Sequence, residues 1–123
     1  MTIREVVDTA DRMRPNAHTM QDKLRWLTGV ERMVADFMNL HENTNIPMPV
    51  YKEGMDIENT EVLLDYTDAE VYTLWLVMKY DLHNGDYESY NNMAMAYNDQ
   101  MKMWEAEYRR THMPKSGKGW KSV

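Results

Sequence analysis

The chain has 123 residues with 13 Met, eight Tyr, four Trp and no cysteine, and it carries a formal net charge of −6. That length suits one domain with a core of modest size. The lack of cysteine excludes a disulfide framework, thiolate metal sites and a cysteine nucleophile, and an acidic body argues against wrapping duplex DNA, which needs a basic footprint to displace counterions.

The N-terminus "MTIREVVDTADRM" is charged throughout and has no signal-peptide core, and no apolar run approaches the ~20 residues that cross a bilayer. A soluble protein made in the cytoplasm, with no membrane partner, is the expectation. The first helix opens on "TIRE", where Thr2 caps and Glu5 reaches back in a capping box. Ile3, Val6, Val7 and Ala10 follow helical spacing to an end near Arg14, before Pro15. After "PNAHT", with Thr19 as cap, a second helix spans about 20–40 and places Leu24, Leu27, Val30, Val34 and Phe37 on one face.

Between 42 and 65 the period is lost. Pro47, Pro49 and Gly54 mark a long loop, and Glu42, Glu53, Asp56, Glu58, Glu61 and Asp65 face Lys52 alone. Loops of this length inside compact domains are usually functional or mobile. A third helix is expected from "TDAE", read as a second capping box of Thr67 and Glu70. It carries Val71, Leu74, Trp75, Met78 and Leu82, broadened by Tyr72, Leu76 and Tyr80. "HNGD" makes a tight link, with Gly85 in a left-handed conformation and Asp86 capping the fourth helix.

Along that fourth helix Tyr90, Ala94, Tyr97, Met101, Trp104 and Tyr108 recur at spacings of 4, 3, 4, 3 and 4. A short link implies antiparallel neighbours, so helices three and four should form a hairpin with an aromatic seam. Met93, Met95 and Met103 fall beside or opposite that stripe, interleaved with Asn91, Asn92 and Asn98. Apolar residues left over on a second side suit a contact with another chain, where adaptable methionine is common.

From Arg109 onward the charges are Arg109, Arg110, Lys115, Lys118 and Lys121 with no acid, so this end carries +5 and the rest of the chain −11. "HMPKSGKGWKSV" has too little apolar surface to fold alone, and Trp120 stands in it as an isolated anchor of the kind found at binding hot spots. The expected architecture is all-α: a bundle of about four helices over 1–113, a long acidic loop between helices two and three, and a flexible basic arm over 114–123.

Catalytic chemistry finds little footing. His18, His41, His83 and His112 share no close metal spacing. His18 with Asp22, or His41 with Glu42, would be a two-ligand pair at most. There is no glycine-rich phosphate loop and no serine nucleophile setting. The reading is a non-enzyme without cofactor or metal.

The segments "RPNAHTMQDKLRWL", "NGDYESYNNMAMAYN" and "RTHMP", set in longer stretches at the two ends of the chain, resemble a family of small helical proteins from the structural gene clusters of tailed bacteriophages, the head-tail connectors or adaptors. The resemblance implies a virion protein at the head-tail junction that forms a ring, usually of twelve copies, under the portal protein. It extends the channel for non-specific passage of genomic DNA and has a stopper or tail protein below. It also implies that a C-terminal segment docks on the portal, here Arg109, Arg110, Lys115, Lys118, Trp120 and Lys121. Met93, Met95 and Met103 would meet the neighbouring copy, and the acidic loop with Glu42, Glu53, Asp56, Glu58 and Glu61 would face the channel or the next ring. The alternatives are another morphogenesis role, such as a stopper or assembly chaperone, or a small cytoplasmic helical regulator. A regulator reading DNA through its N-terminal helix pair would use Lys23, Arg25 and Arg32, although Asp22, Glu31 and Asp36 are interspersed.

Overall fold

Four apolar stripes become four helices in the computed structural model, which describes residues 1–42 and 44–112. They are α1 (Ile3–Met13), α2 (Met20–Glu42), α3 (Glu70–His83) and α4 (Tyr87–Thr111). The chain is mostly helical, and among the described residues the only β pairing is an isolated antiparallel bridge between Thr2 and Glu61.

The α1 capping box forms as its residues dictate. The Glu5 amide donates to Thr2 Oγ1 at 3.2 Å, and the Thr2 amide donates to Glu5 Oε1 at 2.9 Å. Both bonds satisfy amides that a helix start leaves without partners. Ile3, Val6, Val7 and Ala10 are fully buried. The helix stops before Pro15, and Asn16 organises the link to α2 by donating to Asp11 and to the Arg14 carbonyl while accepting from the His18 amide. Thr19 accepts from the Asp22 amide at 3.1 Å, the expected cap of α2.

The segment 44–69 fastens onto the start of α1. The Ile3 amide donates to Thr60 O at 2.9 Å, Arg4 to Ile57 O at 3.0 Å, and Val62 to Met1 O at 2.9 Å. Ile57, Val62 and Leu64 sink into the core beside these bonds. An irregular segment tied by backbone bonds and buried side chains leaves few polar groups unsatisfied, which is why it can lie against the helices without forming strands.

The second capping box does not form. Residues 66–69 are a turn, α3 begins at Glu70, and Ala69 precedes it without a side-chain cap. The reason is local: Asp65 accepts from the Thr67 amide at 3.0 Å, and the amides of Val71 and Tyr72 are already served by the carbonyls of Asp68 and Ala69. From there α3 touches each of the other three helices, α4 most extensively. Burial on nearly every side explains its sequence, with Val71, Tyr72, Leu74, Leu76, Val77, Met78 and Tyr80 all in the interior.

Gly85 has φ +76°, and Asp86 accepts from the Ser89 amide at 3.2 Å, as the tight link requires. Trp75 and Tyr97 meet with ring centroids 5.0 Å apart, joining α3 to α4. Farther along α4, Trp104 and Tyr108 meet Phe37 of α2 instead, at 5.3 and 5.8 Å. The aromatic seam is thus shared between two partners of α4.

Candidate assembly surface

The inner face of α4 is satisfied within the chain. Tyr97, Trp104 and Tyr108 are buried, and Met93 and Met101 pack half-buried against the same core. Met95 and Met103 point away from it, 67% and 64% exposed. At about 100° per residue, Met95 shares its side of the helix with Asn98, Asp99 and Lys102, all exposed, and Met103 lies at its edge. The three-methionine surface read from the sequence therefore divides: Met93 serves the core, and Met95 and Met103 are free of it.

A second exposed apolar pair occurs on α2. Met33 and Leu40 are seven residues apart and thus on one side, with Leu40 at 78% exposure near the helix end. The sequence reading passed over both because they fall outside the stripe of Leu24, Leu27, Val30 and Val34. Their spacing of seven was the available signal.

The acids expected to form one charged loop have separate employment. Glu42 is the last residue of α2, outside the loop proper, and accepts from the Tyr108 hydroxyl. Glu58 pairs with Arg4 at 2.9 Å, and Glu61 lies 3.2 Å from the N-terminal ammonium. Asp56 accepts from the Asn59 amide and side chain at 3.2 and 2.9 Å, closing a turn. Glu53 is exposed and makes no ion pair among the described residues. The segment is acidic in sequence but partly neutralised in space.

Of the predicted docking arm, Arg109 and Arg110 belong to the last turn of α4. Arg109 stands over the Phe37 ring at 5.0 Å, and Arg110 pairs with Glu107. Lys115, Lys118, Trp120 and Lys121 lie outside the described residues.

Buried charges are the largest departure from the sequence reading. Glu31, grouped there with the polar face of α2, is fully buried. It accepts from the Tyr51 hydroxyl at 2.6 Å, the Leu63 amide at 2.9 Å and the Tyr72 hydroxyl, so one carboxylate joins α2, the 44–69 segment and α3. Burial raises its pKa, against the pull of these three donors. Lys23 is buried too and pairs with Asp11 at 3.0 Å, while Tyr80 donates to the same aspartate at 2.9 Å. Asp81 is buried at the crossing of three helix ends: Arg14 Nε lies 2.9 Å from one of its oxygens, and Ser89 donates to the other at 2.7 Å. Sequence did hold a sign of two of them. Glu31 follows Leu27 by four and precedes Val34 by three, and Asp81 follows Val77 by four, so both stand on apolar stripes.

His18 and His83 pack against Trp26, at 5.1 and 4.7 Å between ring centroids. His41 lies against Phe37 and Tyr108. Among the described residues no group of three or more His, Asp or Glu could hold a metal ion, and no helix is long and apolar enough to cross a membrane. Comparison with family models, with curated proteins and with solved structures returned no match.

Proposed function

We propose that this chain is a non-catalytic structural protein of a tailed-bacteriophage virion, a head-tail connector that assembles as a ring beneath the portal, extends the DNA channel and supports tail attachment. The observation that carries the reading is the second face of α4, where Met95 and Met103 are exposed on a helix whose core contacts are already complete. The resemblance of "RPNAHTMQDKLRWL", "NGDYESYNNMAMAYN" and "RTHMP" to connector proteins supports it.

Closing a ring of identical copies requires a heterologous contact, one face meeting a different face of the next copy. Met95 and Met103 of α4 supply one such face, and Met33 and Leu40 of α2 are suited to be the other. Exposed acids of the 44–69 segment, Glu53 foremost, would turn toward the channel and repel phosphate without specific contact. The C-terminal residues from Pro114 would engage the portal. A DNA-reading regulator is disfavoured because two of its three basic residues are engaged, Lys23 buried against Asp11 and Arg25 paired with Asp22 at 2.5 Å, which leaves Arg32 alone exposed without an ion pair among the described residues.

A tagged pull-down from a lysate producing the whole structural gene cluster tests the proposal. Recovery of a portal protein, lost when the chain is truncated before Pro114, is the expected result. Recovery of tail proteins alone would place the chain lower in the particle, and recovery of neither would overturn the connector reading.

A further inference from the structure

The C-terminal ends of α2 and α4 and the 63–68 segment enclose an open groove of about 220 Å3. Met38, Trp104 and Tyr108 line it from the helices, and Leu63 and Leu64 from the segment opposite. Small-molecule sites usually offer ~300–1,000 Å3, so this one suits a single large side chain better than a whole metabolite. Its rim is acidic. Asp65 and Asp68 both line it, and among the described residues neither pairs with a lysine or arginine. Burial, and then the neighbouring Asp65 carboxylate, raises the pKa of Asp68.

Thr111 and His112, the last residues of the described chain, also line this groove. The next 11 residues, "MPKSGKGWKSV", therefore leave from its edge with three lysines, one tryptophan and no acid. Eight residues carry the chain from His112 to Trp120, a span of at most about 28 Å, so the groove is well within reach. Gly117 and Gly119 ease a reversal of direction on the way.

We propose that this groove is the seat of the chain's own C-terminal segment, residues 113–123, with the Trp120 indole between Leu63 and the α4 aromatics and the lysines against Asp65 and Asp68. Apolar lining matches the one aromatic residue of the segment, and the unpaired acids match its charge. Tethering supplies an effective concentration in the millimolar range, so a weak contact suffices. The inference rests on neither the ring nor the portal: it concerns the isolated chain, and a portal engaging the residues from Pro114 would have to displace them from this groove.

The test is solution NMR of the full-length chain, wild type against Trp120→Ala, a change that leaves the described core intact. The expected result is a shift of the Leu63, Leu64 and Asp65 amides and of the Trp104 indole N–H, with the Met95 region unmoved. Amide exchange over 115–121 should also speed up by at least about threefold in Asp65→Asn/Asp68→Asn, as a contact at the low-stability end of the structure is released. Groove signals that ignore Trp120→Ala would overturn the proposal. So would perturbations that vanish on hundredfold dilution, because they would assign the groove to a second copy's segment. Failure to capture a portal protein has no bearing on either readout.

Discussion

Glu31 concentrates the energetics of the interior in one side chain. A buried carboxylate without a cation costs several kcal/mol unless its oxygens are hydrogen-bonded, and here three donors from separate parts of the chain supply those bonds. Glu31→Ala removes all three at once and leaves a cavity, so a loss of about 3 kcal/mol in urea unfolding is expected. Glu31→Gln keeps the shape and should cost less. Its pH behaviour separates charge from packing. Because burial raises the pKa of Glu31, the folded chain binds its proton more tightly than the unfolded chain does. This contribution to stability is full below the ordinary glutamate pKa of about 4.3 and is lost as pH rises through the raised value. Stability measured in a pH series should therefore move in favour of Gln, relative to wild type, as pH climbs from 4 to 8. A difference constant across that range would show that the charge of Glu31 is not what its surroundings strain to hold.

At the scale of elements, what was legible in the sequence was local. Thr2 with Glu5, Thr19, Gly85 and Asp86 each act within three or four residues, and all of them stand where their spacing dictates. Gly85→Ala should cost about 1 kcal/mol, since a Cβ is disfavoured at positive φ even with open space around it. Thr67 and Glu70 show the limit of such reasoning, because the Asp65 turn competes for the same stretch and serves its amides first. What sequence hid was the pairing of distant segments: residues 57–62 on the start of α1, and Asp81 between Arg14 and Ser89. Nothing in a loop with two prolines and a glycine announces which helix end it will cover. Asp81→Ala should lower stability by about 2 kcal/mol. That is less than for a fully enclosed pair, because Arg14 is 38% exposed and regains water when its partner goes. Chemical denaturation of the two single variants checks both values.

For the molecule as a whole, the interior and the exposed surface make opposite demands on methionine, and α4 shows both. Met101 and Met93 fill gaps beside the rings of the core, while Met95 and Met103 touch nothing that folding needs. The surplus of methionine is visible in the sequence but its division is not, since a stripe of 3.6 periodicity blurs at its edges and Met93 stands near one. The division predicts different outcomes for similar substitutions. Trp104→Ala, in the core, should cost about 3–5 kcal/mol. Met95→Asp with Met103→Asp should leave the unfolding free energy within about 0.5 kcal/mol of wild type, as exposed changes do, yet prevent the ring proposed above from forming by placing new charge in its proposed subunit contact. Leu40→Glu on α2 should do the same from the face proposed to meet it, because each contact in a closed ring uses both faces once. Electron microscopy of co-expressed portal with each variant reads the result. Rings formed by Met95→Asp/Met103→Asp would remove α4 from the contact, and rings formed by Leu40→Glu alone would leave α4 seeking a partner elsewhere than the end of α2.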